Sequence, residues 1–270
     1  MGRRDQNNST IPDDISDKVS QESIVVKTNK IAIVDTDILL HWALSFIEET
    51  MSLEEAKQEA EKVLLNFENS LQAKAYVYFI KGKGNFRYTV ATMKPYKGTR
   101  TSEPHKFYNE VLEHMTNFRN CIKCNFVEAD DMISIFHDER TVACTNDKDA
   151  NQTAGDLYNF TKKTLVTLTE EEAWRNLWMQ VITGDAVDNI PGIEGIGPAK
   201  AKLILSDDIG SMQYPWKTQQ AYIDKYGLRD GSDFFNENYQ LIRMKTSSGN
   251  YIKEKYKDIF LLIDYLHNLE

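Results

Sequence analysis

The stretch "KIAIVDTDILL" (Lys30–Leu40) decides the reading of the fold. A short aliphatic run that ends in acids reads as a buried strand whose C-terminal edge presents Asp35 and Asp37. The pattern recurs. "AYVYFI" (Ala75–Ile80) predicts a second strand, and "RTVACTND" (Arg140–Asp147) a third that again ends in an acid. Helical segments lie between them. "SLEEAKQEAEKVLLNFENSLQ" predicts a helix capped by Ser52, with Glu55 three residues on and Val63, Leu64 and Phe67 at helical spacing. A second helix is predicted over about 104–117, and "VEADDMISIFHDE" opens a third with Glu128, Asp130 and Asp131, where a helix start favours carboxylates. "TLVTLTEEEAWRNLWMQVITGD" predicts a short strand, a Thr169 cap and a helix with one apolar face. Strands alternating with helices imply an α/β fold with a mainly parallel sheet, and sites in such sheets collect at the carboxyl edge of the strands.

The 270 residues can bury a sizeable core, and no run approaches the roughly 18 apolar residues of a membrane span. Cys121, Cys124 and Cys144 make no complete disulfide set, and no apolar leader begins the chain, so a cytoplasmic setting is expected. Cys121 and Cys124 form a C-x-x-C without a second half-site and read as ordinary reduced cysteines. His41 reads as structural. Residues 1–29 are polar and mixed in charge, and predict a mobile tail. The net charge of -9 argues against a chain that coats nucleic acid along its whole surface. Yet "KGKGNFRYTVATMKPYKGTR" (Lys81–Arg100) carries Lys83, Arg87, Lys97 and Arg100 among its cations and no acid.

Carboxylates gather in four places: Asp35 with Asp37, Glu128 with Asp130 and Asp131, Asp147 with Asp149, and Asp185 with Asp188. Positions i and i+2 share a face on a strand, and i and i+3 do on a helix, so each group can converge. So many anions repel unless a multivalent cation neutralises them, and hard oxygen donors point to Mg2+ or Mn2+. Any single pair read alone fits a surface or capping pair better than a metal site. Two nearby divalent ions can hold a phosphodiester and activate water, which is nuclease chemistry.

"DNIPGIEGIGPAKAKLIL" (Asp188–Leu205) predicts a helix end, a tight hairpin and a second helix. Pro191 and Gly192 break the first helix, Gly195 and Gly197 permit close backbone approach, and Pro198 suits a first helical turn. Amides at that helix start, with Lys200 and Lys202, would grip a phosphate backbone without reading bases. A purely structural helix-turn-helix is the alternative.

With these segments assembled, the chain resembles the 5′-nuclease superfamily of flap endonucleases and 5′→3′ exonucleases, which includes the N-terminal exonuclease domain of bacterial DNA polymerase I and stand-alone phage enzymes. The resemblance runs from about Lys30 to Lys245, with "VDTD", "GNFR", "PYKGTR", "VEADD", "TNDKD" and "GDAVDNIPGIEGIGPAKA" in order. It implies a PIN-like (resolvase-like) α/β domain over 30–183 with a helical arch or clamp around 81–118, and a helical H3TH DNA-binding region over 184–270. It implies that Asp35, Glu128, Asp130, Asp131, Asp147, Asp149, Asp185 and Asp188 hold two ions, Mg2+ or Mn2+. Lys97 and Arg100 would then act with Asp130 in catalysis at the scissile phosphate, and Lys83, Arg87, Gly192, Gly195, Gly197, Lys200 and Lys202 would contact DNA. A potassium ion is implied at the loop Ile190 to Gly197.

The implied substrate is double-stranded DNA with a 5′ end or flap, or an RNA–DNA hybrid, with a polymerase or single-strand-binding protein acting in trans. The implied enzyme is a monomer of phage type, working in the host cytoplasm in replication or repair. One departure stands out. Many relatives place a further aspartate where this sequence has Ile80 or Lys81, with Asp37 a candidate to compensate. That leaves open a DNA-junction-binding protein of weakened catalysis, and a related PIN-like ribonuclease that would not explain the hairpin.

Overall fold

Aliphatic runs that must leave water dictate the centre of the molecule, which a computed structural model describes over residues 25–101, 103–206, 210–248 and 250–269. The chain begins with β1 (Val26–Lys27), β2 (Ile31–Asp35), α1 (Thr36–Leu44), α2 (Leu53–Ser70), β3 (Leu71–Gln72), β4 (Ala75–Asn85) and the one-turn α3 (Arg87–Val90). It continues with α4 (Tyr108–Phe118), β5 (Ile122–Phe126), α5 (Ala129–Phe136), β6 (Thr141–Cys144), β7 (Gly155–Asn159) and β8 (Thr164–Leu168). Helices complete it: α6 (Glu170–Thr183), α7 (Pro198–Ile204), α8 (Tyr214–Tyr226), α9 (Leu228–Ile242), α10 (Asn250–Lys255) and α11 (Lys257–Asn268).

The main sheet has the order β5-β4-β2-β6-β7-β8. Its strands run parallel except β8, which closes one edge antiparallel to β7. β2 is buried at every residue because parallel neighbours flank it on both sides, as its unbroken aliphatic run predicts. Alternate residues of β4 divide between two cores. Tyr78 and Ile80 pack with α1, α2 and α4, whereas Val77 and Phe79 pack with α5 and α11. α2 starts with the expected capping box, Ser52 and Glu55 each bonding the other's backbone N–H, and buries Val63, Leu64 and Phe67. Thr169 and Glu172 do the same for α6.

Several expectations change. Val26 and Lys27, inside the stretch read as a tail, pair with β3, while residues 1–24 lie outside the described ones. β5 and β7 carry too few aliphatic residues to announce themselves. α6 ends at Thr183, well before Pro191, because Gly184 (φ 71°) turns the chain away. Between Lys81 and Phe118, where an arch was expected, the chain runs through the end of β4, α3, an irregular segment and α4, whose Val111 and Met115 sit in the core. The helical layer also has different limits. Leu177, Trp178, Val181 and Ile182 of α6 already belong to the cluster around the hairpin, together with Tyr96, Tyr222 and Leu241. α10 and α11 leave that cluster and cover the sheet through Ile252, Tyr256, Ile259, Phe260 and Ile263. Cys121 and Cys124 are both buried but serve opposite faces of the sheet, so they form no shared site.

Candidate active site

The carboxyl ends of β2, β4 and β6 open into one cleft of about 740 Å3. Asp35 closes β2 and caps α1, Asp37 follows in the first turn, Glu128 and Asp130 start α5, and Asp147 and Asp149 follow β6. Asp185 and Asp188 reach the same cleft from the hairpin side. Four separate sequence clusters thus meet.

The hairpin is stitched to this loop. Asp185 and Ile190 exchange backbone bonds of 2.8 and 2.7 Å, and Ile193 N donates to Ile182 O at 2.8 Å. Gly184 and Gly192 (φ 62°) touch backbone to backbone: a Cβ on Gly184 would lie 2.3 Å from Ile190 O, and one on Gly192 2.4 Å from Gly184 N. Only glycine fits either position.

Three of the residues expected in the site are inside the protein instead. Arg87, expected to face DNA, is 2% exposed and grips Asp131 with Nη1 and Nη2 at 2.6 and 3.0 Å, while Nε donates to Leu241 O at 2.9 Å. Asp131, expected to bind metal, is fully buried and also accepts from the backbone N–H of Glu128 and Lys245. Its oxygens are spent. Gly192 is buried too, and its N–H donates to Asn238 Oδ1, so it offers nothing to a phosphate. Gly195, Gly197, Lys200, Lys202 and Lys83 are exposed.

Ile80 is fully buried in the core, so the side chain at the cleft is that of the next residue, Lys81. Its backbone N–H donates to Asp37 Oδ1 at 3.1 Å, and its ammonium lies over the Tyr108 ring. Cations pair with part of the acid set: Lys97 with Glu128 and Asp188, Arg100 with Asp188 at 2.7 Å, and Lys148 with Asp185 at 3.0 Å. The Tyr96 hydroxyl lies 2.7 Å from both Glu128 Oε2 and Asp188 Oδ2, serving two carboxylates with one proton. Tyr96, Lys148 and His41, which also lines the cleft, were not singled out by spacing. Lys148 was signalled only by its position between two acids of "TNDKD".

Asp35, Asp37, Asp130, Asp147 and Asp149 have no ion-pair partner among the described residues. Burial, then Asp37, pushes the Asp35 carboxyl up to about 8. Burial likewise raises Asp37 to about 6 and Asp149, with Asp147 beside it, to about 7. Asp130 rises well above its ordinary range through burial and Asp131. Burial acts the same way on Glu128 and Asp185, but Lys97 and Arg87 outweigh it for Glu128, and Lys148 does for Asp185, so both fall. Among the described residues no three His, Cys, Asp or Glu close around a common centre. The donor chemistry nonetheless fits a hard divalent cation: unpaired, crowded carboxylates with no thiolate at the cleft.

A pH dependence follows. Asp37, Asp149 and Asp35 hold protons in the folded state up to about 6, 7 and 8, against 3.8 ordinarily. The folded state therefore binds more protons than the unfolded one, and their contribution is lost as pH rises from 3.8 through those values. Metal-free protein is expected to melt about 5 °C lower at about pH 8.5 than at about pH 5.5, with Mg2+ recovering the loss at the higher pH. An EDTA-treated sample that melts higher at the alkaline pH would contradict this.

Comparison with solved structures settles the architecture. A metal-ion co-crystal structure of the bacteriophage T5 protein matches with a TM-score of 0.58 at 16% identity, covering 87% of this chain and 99% of that one. The fold is that of the phage T5 5′-exonuclease. A T5 flap endonuclease pseudo-enzyme–product complex with DNA and metal ions matches the chain at a TM-score of 0.61, again with 16% identity, over 88% of this chain and all of that one. The T5 5′-exonuclease with bound zinc matches at 0.58 over 87% and 99%. In sequence, DNA polymerase I of Rhizobium leguminosarum is 30% identical over 131 residues, which are 42% of this chain and 13% of that polymerase. No protein-family model matches the chain. Among the described residues no helix is long and apolar enough to cross a membrane.

Proposed function

We propose that the chain is a divalent-metal-dependent, structure-specific 5′ nuclease that hydrolyses phosphodiester bonds at DNA 5′ ends or flaps. One observation carries the reading: unpaired carboxylates at the strand ends share a single cleft with two acids keyed to an exposed glycine hairpin. Asp35, Asp37, Asp130, Asp147 and Asp149 would hold the ions, Mg2+ or Mn2+, with Glu128, Asp185 and Asp188 completing the acidic wall. Bound there, the ions would neutralise the phosphate and favour ionised water.

The chain's own residues supply the rest. Lys97 and Arg100 already sit on cleft carboxylates, and an incoming phosphate would exchange with Glu128 and Asp188 for those donors, placing positive charge where negative charge develops. Tyr96 keeps Glu128 and Asp188 beside each other during that exchange. The exposed Gly195–Gly197 turn, the start of α7, Lys200 and Lys202 form the backbone anchor of an H3TH element, and Lys83 extends the positive surface. Lys200 Nζ donates to Gly195 O at 2.9 Å, so potassium at this loop would have to compete with an ammonium already seated.

A duplex with a 5′ flap is the proposed substrate, with an RNA–DNA hybrid as a further one and any polymerase partner in trans. Lys81 at the cleft favours a second reading, a junction-binding protein with weak catalysis. A labelled 5′-flap duplex distinguishes them. Cleavage near the junction in Mg2+ or Mn2+, absent in EDTA, is expected; tight binding without cleavage in either metal would replace the nuclease by the binding protein. In that case Lys81→Asp, rather than a change at buried Ile80, is the variant to prepare.

A further inference from the structure

The strand β8 ends the main sheet, and among the described residues nothing pairs with its outer edge. Edge strands are ordinarily blunted by a charge, a proline or a bulge. β8 reads "TLVTL", has none of these, and runs in unbroken register with β7 from Thr164 to Leu168. Leu165 is 37% and Val166 50% exposed.

Charges flank the strand on both sides, with opposite signs: "KK" (Lys162, Lys163) before it and "EEE" (Glu170–Glu172) after it. Glu172 is committed to the Thr169 cap. Lys162, Lys163, Glu170 and Glu171 have no ion-pair partner among the described residues. Flanks of one sign would repel a second copy of the chain. Flanks of opposite sign, laid antiparallel, attract it.

We propose that β8 is a self-association edge, to which a second copy adds its own β8 antiparallel across a two-fold axis centred on Val166. A two-fold perpendicular to a sheet sets a residue opposite itself, so Val166 would meet Val166, and its neighbours on the same face follow in pairs. The same register brings Lys162 of each copy to Glu170 of the other at both ends of the pairing, with Lys163 and Glu171 adjacent. The unpaired backbone groups of both edges are satisfied at once, and the two sheets become continuous. None of these residues lines the acidic cleft, so the pairing stands or falls independently of the nuclease reading.

Sedimentation velocity on the full chain over a roughly hundredfold concentration range tests this. A rise in mass from one chain to two is expected, weakened by salt. Lys162→Glu and Glu170→Lys should each weaken association by about tenfold, because each creates a like-charge contact at both ends. Mixing the two variants, or combining both changes in one chain, should restore it. A wild-type chain that stays single over the whole range would overturn the proposal. So would a dimer indifferent to both charge reversals, or a combined variant that fails to recover, since the contact would then lie elsewhere.

Discussion

Replacing Arg87 with alanine is expected to destabilise the protein by about 3–5 kcal/mol, the usual cost of breaking a buried ion pair by removing one partner. The guanidinium ties together three segments: α3, which carries it; the start of α5 through Asp131 and Glu128; and the end of α9 through Leu241 O. Its removal leaves the fully buried Asp131 carboxylate with only two backbone donors. Arg87→Lys should not rescue it, because an ammonium cannot reproduce the two-pronged grip. Arg87→Ala combined with Asp131→Asn should recover part of the loss by removing the orphaned charge. Urea unfolding measures this as a lower midpoint with an unchanged slope, and a loss below about 1 kcal/mol would refute the structural role.

The second large effect separates stability from activity. Asp130→Asn is expected to lower cleavage of a 5′-flap duplex by about a thousandfold or more, equivalent to roughly 4 kcal/mol of lost transition-state stabilisation. The same change should leave the melting temperature of the metal-free protein unchanged or higher. Among the described residues Asp130 has no ion-pair partner, and burial and Asp131 already hold its carboxyl well above the ordinary range, so an uncharged amide relieves repulsion. Parallel assays of turnover and melting decide the matter. Near-normal turnover would remove Asp130 from the chemistry, whereas a large fall in melting temperature would make it a structural acid like Asp131.

That contrast marks what was legible in the sequence. The strands that carry Asp35 and Asp147 were legible because central parallel strands must be aliphatic throughout, and the caps at Ser52 and Thr169 because they are local. Position at strand ends or helix starts also pointed to the carboxyl edge of the sheet for three of the acid clusters, which Asp185 and Asp188 meet from the hairpin side. Local spacing did not distinguish Asp130 from Asp131, adjacent carboxylates with opposite fates: one faces the cleft and the other meets Arg87, 44 residues away. Nothing near Arg87 in the chain tells that its nitrogen bonds a carbonyl 154 residues on. β5 and β7 escaped notice because "IKCNF" and "GDLYN" bury only a few side chains each, and their strand character comes from neighbours in the sheet. Ile80 and Lys81 were ambiguous for a similar reason: which one faces the cleft depends on the pleat of β4.

The bare contact between Gly184 and Gly192 couples two tasks that a looser loop would keep apart. Where the backbones touch without intervening side chains there is no slack, so a tug on the hairpin is passed directly to Asp185 and Asp188. On the proposed function, holding a duplex and arranging the acids would then become one mechanical event. Neither could then be retuned alone: an adaptation that tightened the hold on DNA would also move the acids, coupling affinity to turnover.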